Sequence, residues 1–189
     1  MSVLVFDFFG VICSEVAPLL FPKYLPPERA IEVRHSLLHQ ADLGLITQDE
    51  FFARLAGETG APKATLEAEF LSYARIDHAV VALIEDLRRM HRVALLTNAI
   101  VPYVREVLAR DDLERLFETI LVSAEEHLAK PDPKFYRRLL ERMATKPQDA
   151  TMIDDNPDNI TAAGTLGMGG IVFVSATQLA KELAGLPGS

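Results

Sequence analysis

Apolar and polar positions along the chain fall into two rhythms. Five short, near-continuous apolar runs, VLVF at 3–6, VALLT at 93–97, TILVS at 119–123, TMID at 151–154 and GIVFV at 170–174, are rich in β-branched residues. Runs of that length and composition predict strands buried on both faces, as in a parallel sheet. Between the later runs the pattern turns helical, over 100–110, 133–143, 157–166 and near 176–184. Strand and helix alternate, so the expected fold is α/β, a doubly wound parallel sheet.

Two helix starts are marked by chemistry. Asp132 precedes Pro133 and Asn156 precedes Pro157, each an N-cap residue followed by proline at the first helical position. In TAAGTLGMG, small residues let a helix lie close to a sheet, and Gly167 suits the helix C-terminus. Between the first and second strands the pattern differs. PPERAIEVRHSLLHQADLG, TQDEFFARLAGETG and KATLEAEFLSYARI are helical and separated by Gly, Pro and Thr breakers, and Thr47 with Glu50 forms a capping-box pair. The expectation is a helical module, residues 15–77, inserted into a core made of 1–14 and 78–189.

Composition narrows the classes. The 189 residues are 49% hydrophobic and 24% charged, enough to bury a sizeable core. A formal charge of −8 argues against binding nucleic acid, which rests on clustered Lys and Arg. Cys13 is the only cysteine, so neither an internal disulfide nor a thiolate zinc site is available. The N-terminal MSVLVFDF lacks a basic segment before its apolar run, and no apolar stretch approaches the roughly 18–20 residues that cross a bilayer. The expectation is a cytoplasmic protein, monomer or homodimer, with no membrane partner.

Ligands of an open parallel sheet bind outside the carboxyl ends of its strands. Asp7 follows the first strand, Thr97 and Asn98 end the second, and Asp154 and Asp155 end the fourth. Lys130, in LAKPDPKFY, lies between the third strand and its helix. Each alone reads as turn or cap chemistry. Together they place carboxylates, a hydroxyl, an amide and a lysine at one sheet edge. Clustered carboxylates repel unless a cation sits between them, and a hard ion such as Mg²⁺ suits oxygen ligands. A hydroxyl and a lysine beside that ion suit a tetrahedral oxyanion, with Asp7 as the nucleophile.

These motifs, in this order, resemble the haloacid dehalogenase-like (HAD) hydrolase superfamily. FDFFGV is similar to motif I, LLTN to motif II, AKPDP to motif III and MIDDNPDNITAAGTLGM to motif IV. The resemblance implies a Rossmann-like core of subfamily I with a helical C1-type cap. It implies that Asp7 attacks phosphorus and binds the metal, that Phe9 offers its backbone carbonyl to that metal, and that Asp155 is the main motif IV ligand, with Asp154 acting directly or through water. Asn159 falls where many relatives have a further Asp. Thr97 and the backbone near Asn98 would hold the phosphoryl group, and Lys130 would offset negative charge. The implied substrate is a small phosphorylated molecule and the implied cofactor Mg²⁺.

Motif I departs from the family at Phe9, where most of its phosphatases carry a second Asp that protonates the leaving group. A phenyl ring transfers no proton. Three readings follow: a Mg²⁺-dependent phosphatase working through an aspartyl-phosphate; a carbon–halogen hydrolase, whose family members carry an aromatic residue here but lack such an acidic motif IV; or a phosphate-binding, regulatory protein with little turnover. The polar residues of the insert include Arg34, His35, His39, Asp42, Arg54, Tyr73 and Arg75. His35 and His39, four apart on one helical face, read as surface residues, and Cys13 as a small buried hydrophobe.

Overall fold

The computed structural model describes residues 2–184. Five strands, β1 (Val3–Phe6), β2 (Arg92–Thr97), β3 (Thr119–Val122), β4 (Ala150–Asp154) and β5 (Gly169–Val172), form one parallel sheet in the order β3-β2-β1-β4-β5. The chain winds outward from β1 to β3, then returns to the other side of β1 for β4. That reversal opens a crevice at the carboxyl ends of β1 and β4, where such sheets bind ligands.

Eleven α-helices are assigned among the described residues. Between β1 and β2 lie α1 (Ala17–Tyr24), α2 (Pro27–Val33), α3 (His39–Asp42), α4 (Gln48–Thr59), α5 (Lys63–Tyr73) and α6 (His78–Leu87). The rest are α7 (Tyr103–Arg110), α8 (Ser123–Glu126), α9 (Pro133–Arg142), α10 (Pro157–Thr165) and α11 (Ala176–Leu183). Helices α2 and α3 are one rod joined through a π turn, Arg34–Leu38.

Side chains alternate across each strand and feed two cores. Val3, Val5, Leu96, Leu121 and Met152 pack with Phe135, Tyr136 and Leu139 of α9 and Ala163 of α10. Leu4, Phe6, Leu95 and Ile153 face the other way, toward Val80 and Ile84 of α6, Val104 and Val107 of α7, and Leu179 of α11. The inserted helices extend that second core through Leu20, Phe51, Phe52, Leu55, Leu66 and Phe70. The two chain segments joining insert to sheet run side by side: Ser14 N–H donates to Arg75 O at 2.9 Å and Asp77 N–H to Ile12 O at 2.8 Å.

The chemically marked boundaries hold. Thr47 and Glu50 form the capping box, and Asp132 and Asn156 accept from the backbone N–H two residues on. Most other boundaries move by a residue or two, and three of the shifts are instructive. The helix after β2 begins at Tyr103 and not at residue 100, because Pro102 precedes it as N-cap. β3 stops at Val122, and Ser123 opens α8. β5 spans Gly169–Val172, and beyond it the Gln178 side chain takes over, accepting from Val174 N–H and donating to Val172 O. Helix α6, unassigned from the pattern, is capped by Asp77. No helix among the described residues is long and apolar enough to cross a membrane.

Candidate active site

β1 delivers Asp7 to the crevice in a fixed pose. Phe8 N–H donates to Asp7 Oδ1 at 2.6 Å, and the Asp7 amide donates to Ile153 O at 2.9 Å, tying the nucleophile candidate to β4. Gly10 then turns the chain with φ +83°, and a methyl group there would collide with the Asp155 carboxylate. The glycine of motif I is therefore needed twice, for the turn and for the approach of motif IV.

Lys130 is the hub. Its Nζ lies 2.8 Å from Asp7 Oδ2 and 2.7 Å from Asp154 Oδ2, and only 3% of the residue is exposed. Burial alone pulls an ammonium down, but Asp7 and Asp154 outweigh it and hold Lys130 above its ordinary value. Asp154, wholly buried, is saturated. Oδ1 accepts from Asn156 N–H at 2.9 Å and Asn159 Nδ2 at 3.0 Å; Oδ2 accepts from Lys130 and from Asn159 Nδ2 at 3.0 Å. Asn159 is held in turn by the Tyr136 hydroxyl, which donates to its carbonyl at 2.9 Å.

One ammonium does not balance three carboxylates. Oxygens of Asp7, Asp154 and Asp155 lie within 4.8 Å of one another. Burial pushes the Asp7 carboxyl well above its usual range; Lys130 pulls it back and Asp154 adds to the rise. Burial, then Asp154, raises Asp155 as well. Such a set costs free energy as it stands and gains from a hard cation, so the donor chemistry fits Mg²⁺. No hydrogen bond reaches the Phe9 carbonyl among the described residues. Thr97, at the end of β2, is wholly buried with its Oγ1 unpartnered, an unmet polar group of the kind an oxyanion satisfies.

The structure thus brings Asp7, Lys130, Asp154 and Asp155 together, with Thr97 and Asn98 on the neighbouring strand end. A cavity of about 700 Å³ opens over this cluster, though the wholly buried Thr97 and Asp154 do not line it. Asp7, Phe9, Asn98, Lys130 and Asp155 line its floor side, and Arg34, His35, Leu38, His39 and Asp42 line it from the insert. His35 and His39, expected on the outer surface, face this cavity instead. Arg54, Tyr73 and Arg75 do not line it. A separate cleft of about 490 Å³ near Gly44, Gln48 and Pro102 contains none of the motif residues.

Phe9 turns its ring to aromatic neighbours, stacking on Tyr103 with centroids 5.9 Å apart and meeting Phe8 edge-on at 5.0 Å. Two carboxyls escaped the motif reading. Glu15 lines the cavity 3.9 Å from Arg34, with its carboxyl raised chiefly by burial. Asp42 is pushed up to about 7 by burial and by Glu15. Neither sits in a sequence pattern; the insert's fold alone brings them here. Cys13 is buried, and burial pushes its thiol up to about 12, so it stays an unreactive apolar residue.

The carboxylate–lysine cluster lies at the switch point of the parallel sheet, with helices inserted between β1 and β2 lining the cavity over it. The family model described as haloacid dehalogenase-like hydrolase matches residues 1–167, and the chain belongs to that family. The chain is 25% identical to the sesquiterpene phosphatase astK of Aspergillus oryzae, over 97% of this chain and 95% of that one. It is 28% identical to drimenol cyclase drtB of Aspergillus calidoustus, over 77% of this chain but only 29% of the relative's length. A HAD family enzyme of Bacteroides thetaiotaomicron, crystallised with magnesium and inorganic phosphate, superposes with a TM-score of 0.81 at 23% identity, covering 95% of this chain and 98% of that one. That likeness is one of fold.

Proposed function

We propose that this hydrolase is a Mg²⁺-dependent phosphatase acting on a small phosphomonoester through an aspartyl-phosphate on Asp7. The observation that carries the reading is Lys130, buried between Asp7 and Asp154 at 2.8 and 2.7 Å, with the unpartnered Thr97 hydroxyl at the end of the neighbouring strand. The whole-length likeness to a phosphatase and the magnesium–phosphate complex of a relative support it. In this reading residues 1–14 and 78–189 form the core and 15–77 the cap that selects substrate, in a cytoplasmic enzyme.

Asp7, the Phe9 carbonyl and Asp155 would hold the metal. Asp154, its acceptor positions filled by Lys130, Asn156 and Asn159, supports it from behind. Bound Mg²⁺ supplies Lewis-acid neutralisation of phosphoryl charge. Asp7 attacks phosphorus, the phosphorus–oxygen bond to the leaving group breaks, and water, not a side chain at position 9, protonates the departing oxygen. Thr97 and the Asn98 backbone hold the phosphoryl oxygens while Lys130 offsets their charge. A second water then attacks phosphorus, releasing inorganic phosphate and restoring the Asp7 carboxylate.

The test is hydrolysis of a panel of phosphomonoesters and 2-haloacids, with Mg²⁺ and with chelator, against Asp7→Asn. Metal-dependent phosphate release abolished by Asp7→Asn is expected. Halide release in chelator overturns the reading, and silence on both panels favours a phosphate-binding protein.

A further inference from the structure

Both backbone groups of Lys130 pair with one side chain. Its backbone N–H donates to Asn98 Oδ1 at 2.9 Å, and its carbonyl accepts from Asn98 Nδ2 at 2.9 Å. No other hydrogen bond reaches either backbone group among the described residues. The two bonds match donor to acceptor in only one orientation of the carboxamide, since the flipped amide would face N–H with NH₂ and C=O with oxygen. They span 32 positions of chain, from the end of β2 to the loop before α9.

The consequence concerns reach. A lysine ammonium sits on a flexible four-carbon stem with many rotamers. Here it contacts Asp7 and Asp154 at once, from elements on opposite sides of the switch point. Two carboxylates fix the tip of the chain; at the root Asn98 pairs with both backbone groups of Lys130, inside a turn that Asp132 N–H closes on Ala129 O at 2.9 Å. We propose that the Asn98 carboxamide is a positioning group for Lys130, pinning its peptide so that the ammonium stays between Asp7 and Asp154. Asn98 thus links the strand that ends in Thr97 to the lysine that neutralises the nucleophile. The catalytic part of this inference rests on the phosphatase reading; the structural part does not.

Two measurements test it. Backbone amide exchange in Asn98→Ala is expected to be at least about tenfold faster at Lys130, with Leu95 and Ile153 unchanged as reporters of the intact sheet. Asn98→Asp, which keeps the acceptor for the N–H and loses the donor for the carbonyl, falls between, and serves also if the alanine variant folds poorly. In assays, Asn98→Ala lowers kcat about 10- to 100-fold and weakens inhibition by inorganic phosphate no more than Lys130→Arg does. Added to Lys130→Arg, it slows the enzyme no further.

Unchanged exchange at Lys130, additive losses, or phosphate inhibition weakened well beyond its level in Lys130→Arg overturns the proposal. The last outcome makes the carboxamide a direct phosphate ligand. If the wild-type protein hydrolyses no phosphomonoester, the phosphatase reading falls and the exchange experiment still decides whether Asn98 holds Lys130.

Discussion

Phe9 is where local chemistry and expected catalysis part. Its ring stacks on Tyr103 and meets Phe8; in the proposed reading its backbone carbonyl would still serve the metal while its side chain supplies no proton. Position and identity were legible in the sequence; the aromatic partner was not, because Tyr103 lies 94 positions away and only the fold joins them. If the missing acid limits turnover, Phe9→Asp raises kcat for poor leaving groups, by up to about 10²-fold, and for good ones far less. Its unfolding free energy falls by about 1 kcal/mol or more with the lost ring pair. A uniform change across leaving groups, measured on esters of graded leaving-group pKa, would contradict the role given to this position.

Among elements, the rod of α2, the π turn and α3 matters most. One face of it, Arg34, His35, Leu38, His39 and Asp42, meets the cavity. Its end docks on the core beside α8: the Ser123 hydroxyl donates to Asp42 O and accepts from Ala99 N–H, His127 Nδ1 bonds Leu43 O at 3.0 Å, and Gly44 abuts the Ala124 carbonyl. Core side chains thus satisfy carbonyls that the helix end leaves open. The run PPERAIEVRHSLLHQADLG shows helix clearly, yet the docking is not visible in it, since it depends on contacts across more than 80 positions. Asn156, Asp132 and Thr47 were legible because a cap is a local device. Gly44 has φ +66° and no room for a methyl group, whereas Gly57 in α4 has open space. Gly44→Ala is expected to cost about 2 kcal/mol or more, and Gly57→Ala to stabilise by about 0.5–1 kcal/mol, in denaturant titrations. Equal effects would mean that the docked end carries no stability.

At the scale of the whole molecule, topology does the assembling. Because β4 returns beside β1, motif IV arrives next to Asp7, and because β2 lies on the other side of β1, Thr97 and Asn98 arrive there too. The strand pattern and the residues after each strand made this arrangement readable from the sequence. Glu15, Asn159 with Tyr136, and the Asn98 clamp on Lys130 were not, since hydrogen-bond partners follow from register and not from composition. The central claim is that Asp7 is the nucleophile. Its most direct test is acid quench of a single turnover with Mg²⁺ and a hydrolysed phosphomonoester, followed by mass analysis of the peptide containing Asp7. A phosphoryl adduct on Asp7, absent from Asp7→Asn, is the predicted result. Phosphate release with no adduct, and undiminished in Asp7→Asn, would contradict it.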